Sequence, residues 1–257
     1  MRTKIDPRLL LIALCAPALA LAACKKADDG ATTGNAATPA PAVASGASGV
    51  APAGGWTEAV AETPDGGFVM GNPDAPVKLI EYGSRTCPHC GHFAEEAMPE
   101  LKSKYVATGK VSYEFRDFAI HAPDIAAILL GRCNGAGPFF PILEGMFADQ
   151  KTVLPKLEAT PNSFMTALQG KSPADQAAAW ADQLGYVAFV GQRGVPDAKA
   201  RACLADNKAI DAIGKQMQDG QTRFNISGTP TFVLNGGAIG SLEWADVKAK
   251  LDAALAG

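Results

Sequence analysis

Only three histidines occur in this sequence, and two of them, His89 and His92, lie in or beside one short cysteine motif. No second C-x-x-C accompanies that motif, so the four-ligand spacing of a structural zinc site is not met. No Gly-rich phosphate loop follows a strand, which argues against a nucleotide-dependent enzyme. No basic stripe stands out in a chain of net charge −3, so nothing points to a nucleic-acid partner. The most prominent apolar run, Leu9 to Ala23, is too short and too rich in alanine for a comfortable membrane span.

That run has another use. Arg2, Lys4 and Arg8 precede it, the pattern of a secretory signal peptide over residues 1–23. It ends Leu21-Ala22-Ala23-Cys24, which resembles a bacterial lipobox with Cys24 as the lipidated first residue of the mature chain. The alternative is ordinary cleavage after Ala20-Leu21-Ala22. Both put the mature chain outside the cytoplasm, in the periplasm, and the lipid would anchor it to a membrane. Without residues 1–23 the chain has 20 basic and 25 acidic residues. Residues 24–55 carry Ala, Gly, Pro, Thr and Ser with almost no large apolar side chain, a composition that reads as a flexible tether. The folded part is expected from about Trp56, over residues 56–257.

The centre of that part is Cys87-Pro88-His89-Cys90. The run from Ala75 to Gly83 is short, mostly apolar and preceded by a turn signal, so it reads as a buried strand. Gly91 to Tyr105 reads as a helix with Pro88 in its first turn, kinked or broken at Pro99. Phe68 to Met70 is expected as a short edge strand, and Val111 to Arg116 alternates like a half-buried one. From about 120 to 224 the periodicity turns helical, which predicts a helical subdomain inserted in an α/β host. Thr231 to Leu234 reads as a strand, Asn235-Gly236 as a hairpin turn, and Ser241 as the cap of a last helix with Trp244, Val247 and Leu251 on one face.

A C-x-x-C where a strand hands over to a helix is a redox dithiol, a zinc half-site or a structural bridge. A bridge across so tiny a loop adds little chain-entropy stabilisation, and zinc lacks its other ligands. The redox reading remains. Cys87 at the helix N-terminus is favoured as a thiolate, and His89 can stabilise that form further; the alternative is that His89 is an exposed linker. Glu81 lies six residues before Cys87, on the strand face of Leu79 and Gly83. A buried acid there takes a raised pKa and could shuttle a proton for Cys90; otherwise it reaches solvent at a sheet edge. Of the six cysteines, Cys15 is lost with the signal and Cys24 lies at its end. Cys133 and Cys203 form either a second bridge or two free buried thiols. Thr229-Pro230, on sequence alone, is expected trans.

Together, Glu81 on a strand, the Cys87–Cys90 motif, a helical insert and Gly228-Thr229-Pro230 before a late strand resemble DsbA-like thiol:disulfide oxidoreductases of the thioredoxin superfamily, over residues 68–255. The resemblance implies a thioredoxin-like α/β fold with an inserted helical subdomain. It implies Cys87 as the exposed nucleophile, Cys90 as its buried partner, His89 as the residue that tunes the potential and Glu81 as the buried carboxylate. Pro230 would be the cis-proline facing the dithiol, and Thr229 would offer backbone groups to a bound peptide. Cys133 and Cys203 would form a structural disulfide. No cofactor or metal is implied beyond the Cys87–Cys90 disulfide itself. Substrates would be reduced or unfolded exported proteins, and reoxidation would come from a DsbB-like, quinone-linked membrane partner. Residues 25–55 show no amphipathic assembly helix, so a monomeric oxidase is expected. A residue such as Thr229 before the proline also occurs in isomerases and reductases of the superfamily, which makes an isomerase or reductase the alternative. A peptide-binding lipoprotein without activity is the rival from another class.

Overall fold

The computed structural model describes residues 50–257. The signal peptide, Cys24 and the greater part of the tether lie outside the described residues.

Six strands form one sheet in the order β1-β2-β4-β3-β5-β6. They are β1 (Val60–Glu62), β2 (Phe68–Gly71), β3 (Val77–Gly83), β4 (Val111–Asp117), β5 (Thr231–Leu234) and β6 (Gly237–Gly240). β3 and β4 run parallel, joined through helix α1 (Pro88–Glu100), while β2 against β4 and β5 against β3 are antiparallel. The final helix, α10 (Trp244–Ala256), packs with α1 on the core side of the sheet, where Phe93, Ala97, Leu101, Trp244, Val247 and Leu251 meet Leu79 and Phe232. Tyr82, Phe118, Ile226 and Val233 form a separate cluster, with Phe224 packed against it.

Between β4 and β5 lie α2 (Asp124–Arg132), α3 (Phe139–Ala148), α4 (Gln150–Glu158), α5 (Asn162–Leu168), α6 (Pro173–Leu184), α7 (Tyr186–Gly191), α8 (Asp197–Leu204) and α9 (Asn207–Phe224). They carry a core of their own, built from Ile128, Leu130, Trp180, Leu184, Leu204 and Ile213 among others. α3 instead sends Phe139, Phe140, Leu143 and Phe147 into the core of the sheet, which fastens the insert to its host.

Three expectations change, and a fourth takes a specific form. Phe68–Met70 is not an edge, because β1 pairs outside it, with Val60 opposite Met70. β4 is not half-buried: even Ser112 and Arg116 are covered, since strands flank it on both sides and helices cover it. The break expected at Pro99 takes the form of a change of helix type: α1 ends at Glu100, a π-helical turn, Leu101–Tyr105, follows, and a last 3-10 turn ends at Gly109 with φ 73°. The missing N–H of Pro99 interrupts the hydrogen-bond ladder, and the wider turn absorbs that loss. Ser241 does not cap α10. The capping position is Glu243, with no side-chain bond, because Trp244 fixes the helix start by packing edge-on against Phe93 and donating to Glu100 Oε2 at 3.1 Å.

Candidate active site

Cys87 occupies the N-cap position of α1 in an extended conformation (φ −81°, ψ 118°), and Pro88 opens the helix. β3 ends at Gly83, so Ser84, Arg85 and Thr86 form the turn that carries the cysteine. Both motif cysteines are free thiols. Cys90 is wholly buried, as the resemblance implies. Cys87, expected to be exposed, is only 3% accessible. Its Sγ donates to the carbonyl oxygen of Thr229 at 3.3 Å, so the loop before β5 lies over it. Pro88 and His89 beside it are exposed.

The two sulfurs are electrostatically unlike. Cys87 is lowered to about 5, chiefly by a hydrogen bond from the Cys90 thiol and also by the backbone N–H groups of Cys90 and His89, against the opposing effect of burial. Cys90 is pushed well above the ordinary thiol range, first by burial and then by its proximity to Cys87 and Glu81. Residue 89 contributes a main-chain N–H to this lowering, and His89 is exposed. Thr229 Oγ1 is buried with no partner, so an ionised sulfur beside it would give that hydroxyl an acceptor.

Glu81 does not reach solvent at an edge. It sits on β3, between β4 and β5, at 1% accessibility. Burial raises its pKa to about 8, with a further push from Cys87. The Tyr113 hydroxyl donates to Glu81 Oε2 at 2.7 Å and opposes that rise, and Oε1 has no partner. Thr229-Pro230 is cis; composition alone had it trans, and the resemblance had it cis. Cys133 and Cys203 are joined by a disulfide that ties the end of α2 to α8, with their Cα atoms 5.9 Å apart.

Sequence reasoning passed over the polar groups that hold the turn. The Asp124 carboxylate, fully buried at the start of α2, accepts from Ser84 Oγ, from the backbone N–H of Thr86 and from those of Ile120 and His121. Arg85, also buried, pairs with Asp117 at 2.9 Å. Gln150 Nε2 donates to the carbonyls of Arg85 and Cys87 at 3.0 and 2.9 Å. The available signal was the run Ser84-Arg85-Thr86, three polar residues where a buried strand exits and where each needs a partner. Among the described residues, one group has the spacing to hold a metal ion, His92 with Glu96 and Glu243. All three are exposed, an arrangement that surface ion pairs produce without a metal.

Fold and site define a class. A family model described as Thioredoxin matches residues 63–253, and the chain belongs to that family. Within it, the sequence relatives include proteins named for protein-disulfide oxidoreductase activity. The structure is similar to a protein-disulfide isomerase from Novosphingobium aromaticivorans, at 26% identity and a TM-score of 0.70, over 74% of this chain and 97% of that one. It shares its fold with Wolbachia pipientis alpha-DsbA1, at 21% identity and a TM-score of 0.61, over 76% and 94% of the two chains. In sequence it is 28% identical over 191 residues to a Rickettsia felis protein named for protein-disulfide oxidoreductase activity. That match covers 74% of this chain and 61% of the Rickettsia protein, so the chain spans less than two thirds of that relative's length.

Proposed function

We propose that this chain is an extracytoplasmic thiol:disulfide oxidoreductase that introduces disulfides into exported proteins through Cys87 and Cys90. The observation that carries the reading is the opposed pair of thiols, Cys87 lowered and Cys90 raised, at one helix N-terminus. A stabilised Cys87 thiolate favours the reduced protein, so the disulfide form is an oxidant.

The chemistry balances as follows. A substrate thiolate attacks Cys87 Sγ of the disulfide. The Cys87–Cys90 bond breaks, and Cys90 leaves as a thiolate. Glu81, protonated at neutral pH because it is buried, supplies the proton that Cys90 takes up. A second substrate thiolate then attacks the substrate sulfur of the mixed disulfide and expels Cys87 as the stabilised thiolate. The substrate has lost two electrons, and the dithiol holds them. Reoxidation falls to a DsbB-like, quinone-linked membrane partner. Thr229 and Pro230 would meet the substrate main chain, and a groove of about 620 Å³ lined by Pro88, Ile120, His121, Leu157, Met165 and Trp180 would take apolar side chains. No cofactor enters beyond the disulfide. The signal segment and Cys24 support a periplasmic, lipid-anchored protein, and the composition of residues 25–55, without an amphipathic assembly pattern, supports a monomer.

A second reading, a disulfide isomerase, is favoured by the name of the Novosphingobium neighbour. The test is oxidation of a reduced two-cysteine peptide by the oxidised protein. Turnover should vanish in Cys87→Ser, and full turnover in that variant would overturn the enzyme reading. Reshuffling of a scrambled protein by the reduced form, faster than peptide oxidation by the oxidised form, would move the assignment to isomerase.

A further inference from the structure

The turn that carries Cys87 is gripped from the insert at alternate main-chain groups. From α2, the Asp124 carboxylate takes the N–H of Thr86. From the first residue of α4, one amide nitrogen of Gln150 reaches the carbonyls on both sides of Thr86, those of Arg85 and Cys87. With two carbonyl oxygens facing it, this end of the Gln150 side chain must be the NH2 end, since its oxygen there would meet two acceptors. The Cys87 carbonyl also accepts the first bond of α1, from Gly91 N–H at 3.2 Å. Its direction therefore fixes ψ of Cys87 and the angle at which α1 leaves the cysteine.

A second observation points to the same side chain. A Cβ built on Gly91 would collide with Gln150 Oε1 and lie 2.9 Å from its Cδ. The residue directly after the motif is a glycine whose side-chain space Gln150 fills. Gln150 itself is 7% accessible, buried between the insert and the first turn of α1. Nothing in its own helix uses that amide. Its side-chain amide donates only to the cysteine turn.

We propose that Gln150 is a positioning residue for Cys87, the contact through which the helical insert sets the direction of the Cys87 carbonyl and the placing of its sulfur at the head of α1. The inference rests on the dithiol reading above and assigns one side chain of the insert to the redox centre. It gives the insert a part in the chemistry as well as in the surface. The groups that face Cys87 are Cys90 and the N–H groups of α1, Glu81 on β3 and Thr229 before β5. Gln150 is uncharged, so removing it changes orientation and local dipoles without removing a charge.

The experiment is the pH dependence of Cys87 alkylation by iodoacetamide, read by mass spectrometry on the full chain, together with equilibration against glutathione. Gln150→Met keeps the side-chain volume and loses both donors. Gly91→Ala keeps Gln150 and displaces its amide. Leu184→Ala, a cavity in the insert core, serves as the control for plain loss of stability. For either site variant the alkylation midpoint should rise by about one pH unit. The glutathione equilibrium should move about tenfold toward oxidised protein, close to 30 mV. A shift no larger than that of Leu184→Ala, in whichever site variant folds, overturns the proposal. If the wild-type midpoint already lies at the ordinary thiol value, the dithiol reading itself fails, and the two failures are thus distinct.

Discussion

Glu81 and Cys87 titrate in an order that leaves one negative charge between them. With Cys87 lowered to about 5 and Glu81 raised to about 8, the reduced site near neutral pH holds a thiolate and a neutral acid. The sign of the stability effect follows. Glu81 binds its proton more tightly folded than unfolded, where its value is near 4.5, so folding takes up a proton between those values. Its contribution falls as pH rises through that window. Cys87 acts in the other sense: the reduced protein gains stability relative to the oxidised one as pH rises from about 5 toward the ordinary thiol value of 9.0. Urea unfolding of the oxidised protein, in which Cys87 neither titrates nor pushes on Glu81, should still lose stability as pH rises above about 4.5, because burial is the larger cause of the raised value, and Glu81→Gln should flatten that slope. An unchanged slope would mean that Glu81 is not the group responsible. Tyr113→Phe removes the donor to Glu81 Oε2 and leaves a buried acceptor unpaired, at a cost of about 1–3 kcal/mol. It should carry the Glu81 titration to still higher pH, which carboxyl-labelled NMR would follow. Glu81 was legible because an acid in an apolar strand is conspicuous. Tyr113 was not, because a tyrosine in a strand fits a core equally well until a partner appears across from it.

At the scale of elements, short-range chemistry was legible and docking was not. Asn235 and Gly236 take φ of 48° and 83°, the left-handed pair that their identities demand in a two-residue hairpin. Ser172 accepts from the N–H of Asp175 and starts α6 as a capping serine does. The start of α10 and the edge status of β2 were misread because each depends on a neighbour distant in sequence, α1 in one case and β1 in the other. The Cys133–Cys203 disulfide belongs to this scale. It closes a 70-residue separation across the insert, for which the chain-entropy model gives about 4 kcal/mol. Cys203→Ser should lower the stability of the oxidised protein by about 2–4 kcal/mol in a denaturant titration and leave peptide oxidation by Cys87 nearly unchanged. A loss of turnover equal to that of Cys87→Ser would show that the second disulfide belongs to the chemistry.

The whole molecule joins a thioredoxin host to an insert with its own core, and the join runs through the turn that carries Cys87. Fold class was legible because the order strand, C-x-x-C helix, strand, helical run, strand admits few arrangements of one sheet. The motif marked Cys87 and Cys90 as the pair to which the proposed chemistry is assigned. It could not show that Asp124 and Gln150, 37 and 63 positions beyond Cys87, would close around the turn, since no periodicity links such positions. Nor could it show that the Thr229 loop covers Cys87 to 3% accessibility. The Cys90 thiol lowers Cys87 along with the Thr229 loop, and burial with Cys87 and Glu81 nearby raises Cys90. The measurement that tests this account most directly is the reduction potential of the Cys87–Cys90 pair against a glutathione buffer, in which about 30 mV is a tenfold change in equilibrium. The account predicts a potential well above the glutathione poise, that of an oxidant with a stabilised reduced form. A potential near that of thioredoxin, about −270 mV, would contradict it and make the pair an electron donor.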